Sequence, residues 1–123
     1  MKRVFSLTSS FTKFVSDAAK NLMTPHEHKL TDDELLKSLA YNAHHDYHKH
    51  VDYAVILKNE IERRVLSNQD EHPSLIPYAK VIAKISPKYK DDGYSIKAAV
   101  WDLTSPIYAA HQENKLQRQL DKQ

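Results

Sequence analysis

The sequence predicts an all-α fold: a single-domain bundle of four or five helices over 1–123, with one long central helix. Three observations carry that reading. Apolar residues recur at alternating three- and four-residue steps along most of the chain. One glycine in 123 residues leaves almost none of the tight hairpin turns that a sheet protein needs. Thr31, followed by Asp32, Asp33 and Glu34, forms a capping-box signature ahead of a long unbroken periodic stretch.

Val4, Leu7, Phe11, Phe14 and Ala18, extended by Val15, Ala19 and Leu22, mark one face of a first helix, which Pro25 ends. All three Phe residues of the chain lie in this segment, and their expected use is packing against the next helix. Residues 1–16, with Lys2, Arg3, Lys13 and several Ser but no acid, also match the composition of an organellar transit peptide; the apolar spacing favours a helix of the fold.

From Thr31 to Leu66 the period continues through Leu39, Ala43, Tyr47, His50, Ala54, Leu57, Ile61 and Val65. Three acids in its first turn complement the positive end of the helix dipole. Such a helix would be about 52 Å long, more than the diameter of a compact domain of this size, so it either breaks near His48–Asp52 or projects. His50, falling on the apolar stripe, is expected to be a core residue satisfied by a hydrogen bond.

A polar connection, 67–74, leads to a third helix of about ten residues carrying Leu75, Tyr78, Val81, Ile82 and Ile85, which Pro87 stops. A charged turn runs from Lys88 to Gly93. Ser95 is expected to cap a fourth helix with Ile96, Ala99, Val100 and Leu103. Ser105 and Pro106 read as the N-cap and first-turn pair of a fifth, which fades into the polar segment 112–123, where Leu116 and Leu120 are the only apolar residues.

Composition excludes several function classes. Without Cys there is no disulfide framework, zinc ribbon or thiol nucleophile. A single Gly cannot furnish the close backbone approach of a dinucleotide fingerprint or a phosphate loop. A net charge of +2 gives no strong global field toward nucleic acid or membrane, and no apolar run approaches the ~18 residues of a membrane span. The expectation is a cytoplasmic protein with no cofactor and no membrane partner.

Two constellations carry chemistry. His44, His45 and His48, with Asp52, offer imidazoles at helical spacing for a divalent cation, and His26, His28 or His72 could complete the set; the competing reading is a solvated polar face. Lys80, Lys84, Lys88, Lys90 and Lys97, interleaved with Tyr78, Tyr89, Tyr94 and Trp101, combine positive charge with rings on which bases stack. The same groups suit an acidic protein surface. The function expected is therefore non-catalytic binding of another protein or complex, as a small accessory, adaptor or inhibitor subunit. Lys80, Lys84, Lys88, Tyr89, Lys90 and Lys97 are the expected contact residues. The alternatives are nucleic-acid association through the Lys/Tyr surface and a metal-dependent enzyme or sensor built on the histidines.

Overall fold

The computed structural model describes residues 25–122, and every regular element among them is helical. The elements are α1 (Pro25–Lys29), α2 (Asp32–His44), α3 (Val51–Asn68), α4 (Ile76–Ala83) and α5 (Gly93–Asp121), with 3₁₀ turns at Gln69–Glu71, Pro73–Leu75 and Pro87–Tyr89. The all-α bundle is as the periodicity predicts. The predicted first helix and its Phe residues lie outside the described residues.

α2 begins where the capping box places it. The Thr31 hydroxyl accepts from the Glu34 N–H at 3.1 Å, and the Glu34 carboxylate accepts from the Thr31 N–H at 2.9 Å. The core follows the predicted stripe: Leu35, Leu39 and Ala43 of α2 meet Leu57 and Ile61 of α3, Tyr78 and Ile82 of α4, and Val100 of α5. α3 is the central helix, with every residue from Ala54 to Ile61 buried.

The expected continuous helix over 31–66 is corrected: it ends at His44 and resumes at Val51. His50, expected in the core, is instead exposed at the break and takes the left-handed conformation, φ 52° and ψ 42°. That conformation is strained for a residue with a side chain. The reason for the break is supplied by a residue far along the chain. Lys97 of α5 is fully buried, and its ammonium donates to the carbonyls of Asp46 at 2.6 Å, Tyr47 at 3.1 Å and Lys49 at 2.6 Å. Its three donors meet three carbonyls that a helix interruption leaves open. The Asn42 side-chain amide donates to a fourth, that of His50, at 3.1 Å.

The C-terminal half is corrected as well, because the expected fourth and fifth helices are one. α5 runs for 29 residues, about 43 Å at 1.5 Å per residue. Its cap is Asp92, whose carboxylate accepts from the Ser95 N–H and from the Ser95 hydroxyl, so Ser95 sits inside the first turn. Pro106 lies within the helix and removes the N–H that would reach the Asp102 carbonyl. Ser105 and Thr104 turn their hydroxyls onto the carbonyls of Trp101 and Val100 in the preceding turn. Packing of Val100 and Thr104 before the proline and Ile107 after it holds the helix together across the gap.

A charge network closes the opposite side. Glu60, fully buried, accepts from Arg63 at 2.6 Å and from Arg64 at 2.7 Å, and pairs with His28 at 3.1 Å. The Arg64 guanidinium also bonds Asp32 at 2.8 Å and the carbonyls of Glu27 and Leu30. One side chain of α3 thereby fixes the end of α1 and the start of α2.

Two outcomes follow. Lys97→Met leaves three loop carbonyls without their donor and is expected to lower unfolding free energy by about 3 kcal/mol in urea titration. The chain's one glycine serves close approach rather than a turn: a Cβ on Gly93 would clash with the Val51 carbonyl oxygen. Gly93→Ala should therefore cost about 2 kcal/mol in the same measurement, with the backbone at the α3 start displaced.

Candidate interaction face on the long C-terminal helix

α5 has two apolar faces. Ile96, Val100, Leu103 and Ile107 point into the bundle. Tyr94, Ala98, Trp101, Ala109, Leu116 and Leu120 form a second stripe, every one of them exposed. At about 100° per residue these six fall within an arc of roughly 100°, on the side of the helix away from Ile107, an arc they share with Asp102, Ser105, Gln112 and Gln119. Leu116 is 57% exposed and Leu120 52%, the most exposed large apolar side chains among the described residues. Every residue from Glu113 to Lys122 is exposed.

The N-terminal half of that face merges with a band of rings. α2 and α5 run antiparallel, so His44 meets Trp101 with ring centres 3.9 Å apart and Tyr108 at 5.3 Å, nearly parallel. Tyr47 stands edge-on to Trp101 at 5.6 Å and to Tyr94 at 5.9 Å. Tyr41 stacks on His45 at 4.5 Å and meets His111 edge-on at 6.1 Å. Stacked and edge-to-face pairs of this kind fix ring orientations, so the partly exposed Trp101, Tyr94 and Tyr41 are presented on a stiff support.

The histidines are divided by this packing. His44 Nε2 lies 2.9 Å from the Thr104 hydroxyl and 3.2 Å from the Trp101 carbonyl. Since the Thr104 hydroxyl donates to the Val100 carbonyl, the arrangement calls for His44 to donate from Nε2. His45 bonds Tyr108 at 3.4 Å, and His48 lies beside Tyr47 and Tyr94. His28 and His72, the suggested third ligands, pair with Glu60 and Asp32. Among the described residues no three His, Asp or Glu side chains converge as a metal set.

The Lys/Tyr group is also divided. Lys80, Lys84, Lys88 and Tyr89 are exposed, with the Lys88 ammonium 5.4 Å from the centre of the Tyr89 ring. Lys90 is half-buried. Lys97 is removed from any surface by the three carbonyls it holds. In the polar cleft of about 420 Å³ beside Arg63, Arg64 and His72, the two guanidinium groups face Glu60 and Asp32, and the His72 ring bonds Asp32.

The outer stripe was hidden in the sequence by the apparent helix boundary at Ser105–Pro106. Joined into one helix, the eleven-residue spacing of Ala98, Ala109 and Leu120, and of Tyr94, Ser105 and Leu116, would have shown it. Among the described residues no helix is long and apolar enough to cross a membrane. Comparisons with protein-family models, curated proteins and solved structures give no match.

Three titratable groups, the half-buried His44 and Asp32 and the buried Glu60, make stability depend on pH on the acid side. Burial pushes the His44 imidazolium below its ordinary value, against a smaller opposing effect of the Trp101 carbonyl. Burial would raise Asp32 and Glu60, but His72 and Arg64 around the first, and Arg63 and Arg64 around the second, hold both below the usual carboxylate range. In all three the unfolded chain binds the proton more readily, so their stabilisation is complete above the unfolded pKa and is lost as pH falls. Glu62, raised by burial, acts in the opposite sense. Urea midpoints should therefore fall from about pH 7 to about pH 5 through His44, and further below the usual carboxylate range; His44→Gln should flatten the first step.

Proposed function

We propose that this chain is a non-catalytic macromolecule-binding protein, a small cytoplasmic accessory, adaptor or inhibitor subunit that docks a helix of a protein partner along the outer face of α5. The observation that carries this reading is the second apolar stripe, from Tyr94 to Leu120, on a helix whose inner face already supplies the core. A helix end exposed on all sides gains nothing from core packing, and isolated helical segments of that length are marginal in water. Covering Leu116 and Leu120 would remove two large apolar side chains from water, at about 25 cal/mol per Å² of buried area. Ala98 and Ala109, small and exposed, let a partner helix approach closely, while Trp101 and Tyr94 supply the stiff aromatic contacts that dominate interface energetics. Asp102 and Glu113 on one edge of the stripe and Lys115 on the other give the partner an orientation through charge.

Affinity capture from the native lysate, with nuclease treatment as a control, tests this. The expected result is a specific protein partner that survives nuclease. Leu116→Glu together with Leu120→Glu should weaken its capture at least about tenfold while leaving the melting temperature unchanged, because neither side chain supports the core. Retention of the partner by this variant would remove the α5 face from the proposal.

The second reading is nucleic-acid association through Lys80, Lys84, Lys88 and Tyr89, supported by their shared exposure and by the Lys88–Tyr89 contact. It predicts affinity that falls steeply with salt and is abolished by reversing the charges of the three lysines. Binding insensitive to both would eliminate it.

A further inference from the structure

A second feature, separate from the outer face of α5, lies in the angle between α2 and α5. There a cavity of about 670 Å³ opens, with walls that are mostly apolar and include Ala40, Tyr41, Ile107 and Tyr108. Its volume falls in the range of sites that enclose small molecules.

The polar groups on its wall are mainly donors that the fold leaves free. The side chains of Ser38, His50 and His111 line the cavity, and none of the three hydrogen-bonds another described residue. An imidazole presents an N–H in either protonation state. His111 is set by its edge-on contact with Tyr41 at 6.1 Å, which orients the ring and leaves its nitrogens open. Lys37, also on the wall, meets Asp33 at 3.0 Å, an exposed i,i+4 pair that contributes only a few tenths of a kcal/mol, so its ammonium exchanges partners readily. Lys37 and Tyr41 stand one turn apart on the same face of α2, and Tyr41 meets His111. An ammonium, a ring and an imidazole therefore follow one another along one edge of the cavity. Among the described residues the only acid on the wall is Asp46, half-buried, and the buried Lys97 ammonium balances its charge. The Tyr53 hydroxyl, engaged with Glu27, is closed to a ligand.

From these observations we infer that the α2–α5 cavity binds a small aromatic carboxylate, its ring against Tyr41, Ile107 and Tyr108 and its carboxylate toward Lys37 and His111. The tyrosine walls accept a flat ring by stacked or edge-on contact. One ammonium and one neighbouring imidazole suit a single negative charge, and hydrogen bonds to an ionised acceptor are stronger than those to a neutral one. Discrimination is by charge: the neutral amide of the same shape keeps the ring contacts and loses the charge-assisted bonds, while a cation of the same shape meets Lys37 as a like charge. This inference is independent of the partner proposed for the outer face of α5, whose residues Leu116 and Leu120 do not line the cavity.

2-Naphthylacetate, 2-naphthylacetamide and 2-naphthylethylamine share one ring system and differ in charge; titrated separately into the full chain at neutral pH and followed in amide-resolved NMR spectra, they test it. The carboxylate is expected to bind with a dissociation constant on the order of 1 mM and to shift the Tyr41, Ile107 and His111 signals. The amide should bind at least about threefold more weakly, and the amine about tenfold more weakly. Lys37→Gln, an exposed change remote from the core, should cut the advantage of the carboxylate over the amide, and Ser38→Trp, which projects a ring into the cavity, should abolish binding of all three. Because the comparison of the three compounds is made on the unaltered protein, it stands even if a variant fails to fold. Absence of shifts at the cavity up to the solubility of the carboxylate, shifts confined to the exposed Lys80–Tyr89 surface, or a ratio under about threefold between carboxylate and amide would overturn the inference.

Discussion

The buried ammonium of Lys97 is the constraint from which the arrangement of α2, α3 and α5 follows. A helix running from Thr31 to Leu66 would satisfy its own backbone but would be too long for a compact bundle to cover. Breaking it exposes carbonyls that have no helical partner, and in a protein interior those must be met by donors. Lys97 meets three of them at 2.6, 3.1 and 2.6 Å, which ties α5 to the segment that follows α2. Once that is fixed, His44 comes against Trp101 and Thr104, Tyr41 comes against His111, and the cavity containing Asn42 lies between the two helices. Burial lowers the Lys97 pKa, partly offset by Asp46, which is the expected cost of placing a cation where only carbonyl dipoles and one carboxylate compensate it.

The second anchor, Arg64, works by the same chemistry at the other side of the molecule. A planar guanidinium has five donors in fixed directions, and here they reach Glu60, Asp32 and the carbonyls of Glu27 and Leu30. The short α1 has little core of its own, so its placement relies on this polar attachment. Together the two cations explain why a chain with modest apolar content holds a defined set of helix positions: the irregular segments are tied by side chains with several donors each.

α5 connects this framework to the proposed function. Its inner face completes the core, while its outer face carries Tyr94 and Trp101, partly covered by His44, Tyr47 and His48, and the exposed Leu116 and Leu120. The continuity of the helix through Pro106 is what aligns Tyr94, Trp101, Leu116 and Leu120 into one surface. A new helix starting at that proline, as the local sequence suggests, would have separated the aromatic end from the leucine end and left two unremarkable patches.

The all-α class, the capping box at Thr31, the apolar stripe of α2 and α3 and the short α4 before Pro87 were legible in the sequence, because each depends on residues within three or four positions of one another. The break at His45–His50, the left-handed His50, the burial of Lys97 and the passage of α5 through Pro106 were not. Each of these is decided by contacts between residues about fifty positions apart, as between Lys97 and Asp46, or by packing strong enough to override a local stop signal. For the same reason the histidines at helical spacing did not assemble into one site, and Lys97 did not join the other lysines on the surface. Helical periodicity records which face of a segment seeks the core. It contains no information about which distant donor will meet the carbonyls where the helix ends, and that pairing is decided only when the helices pack.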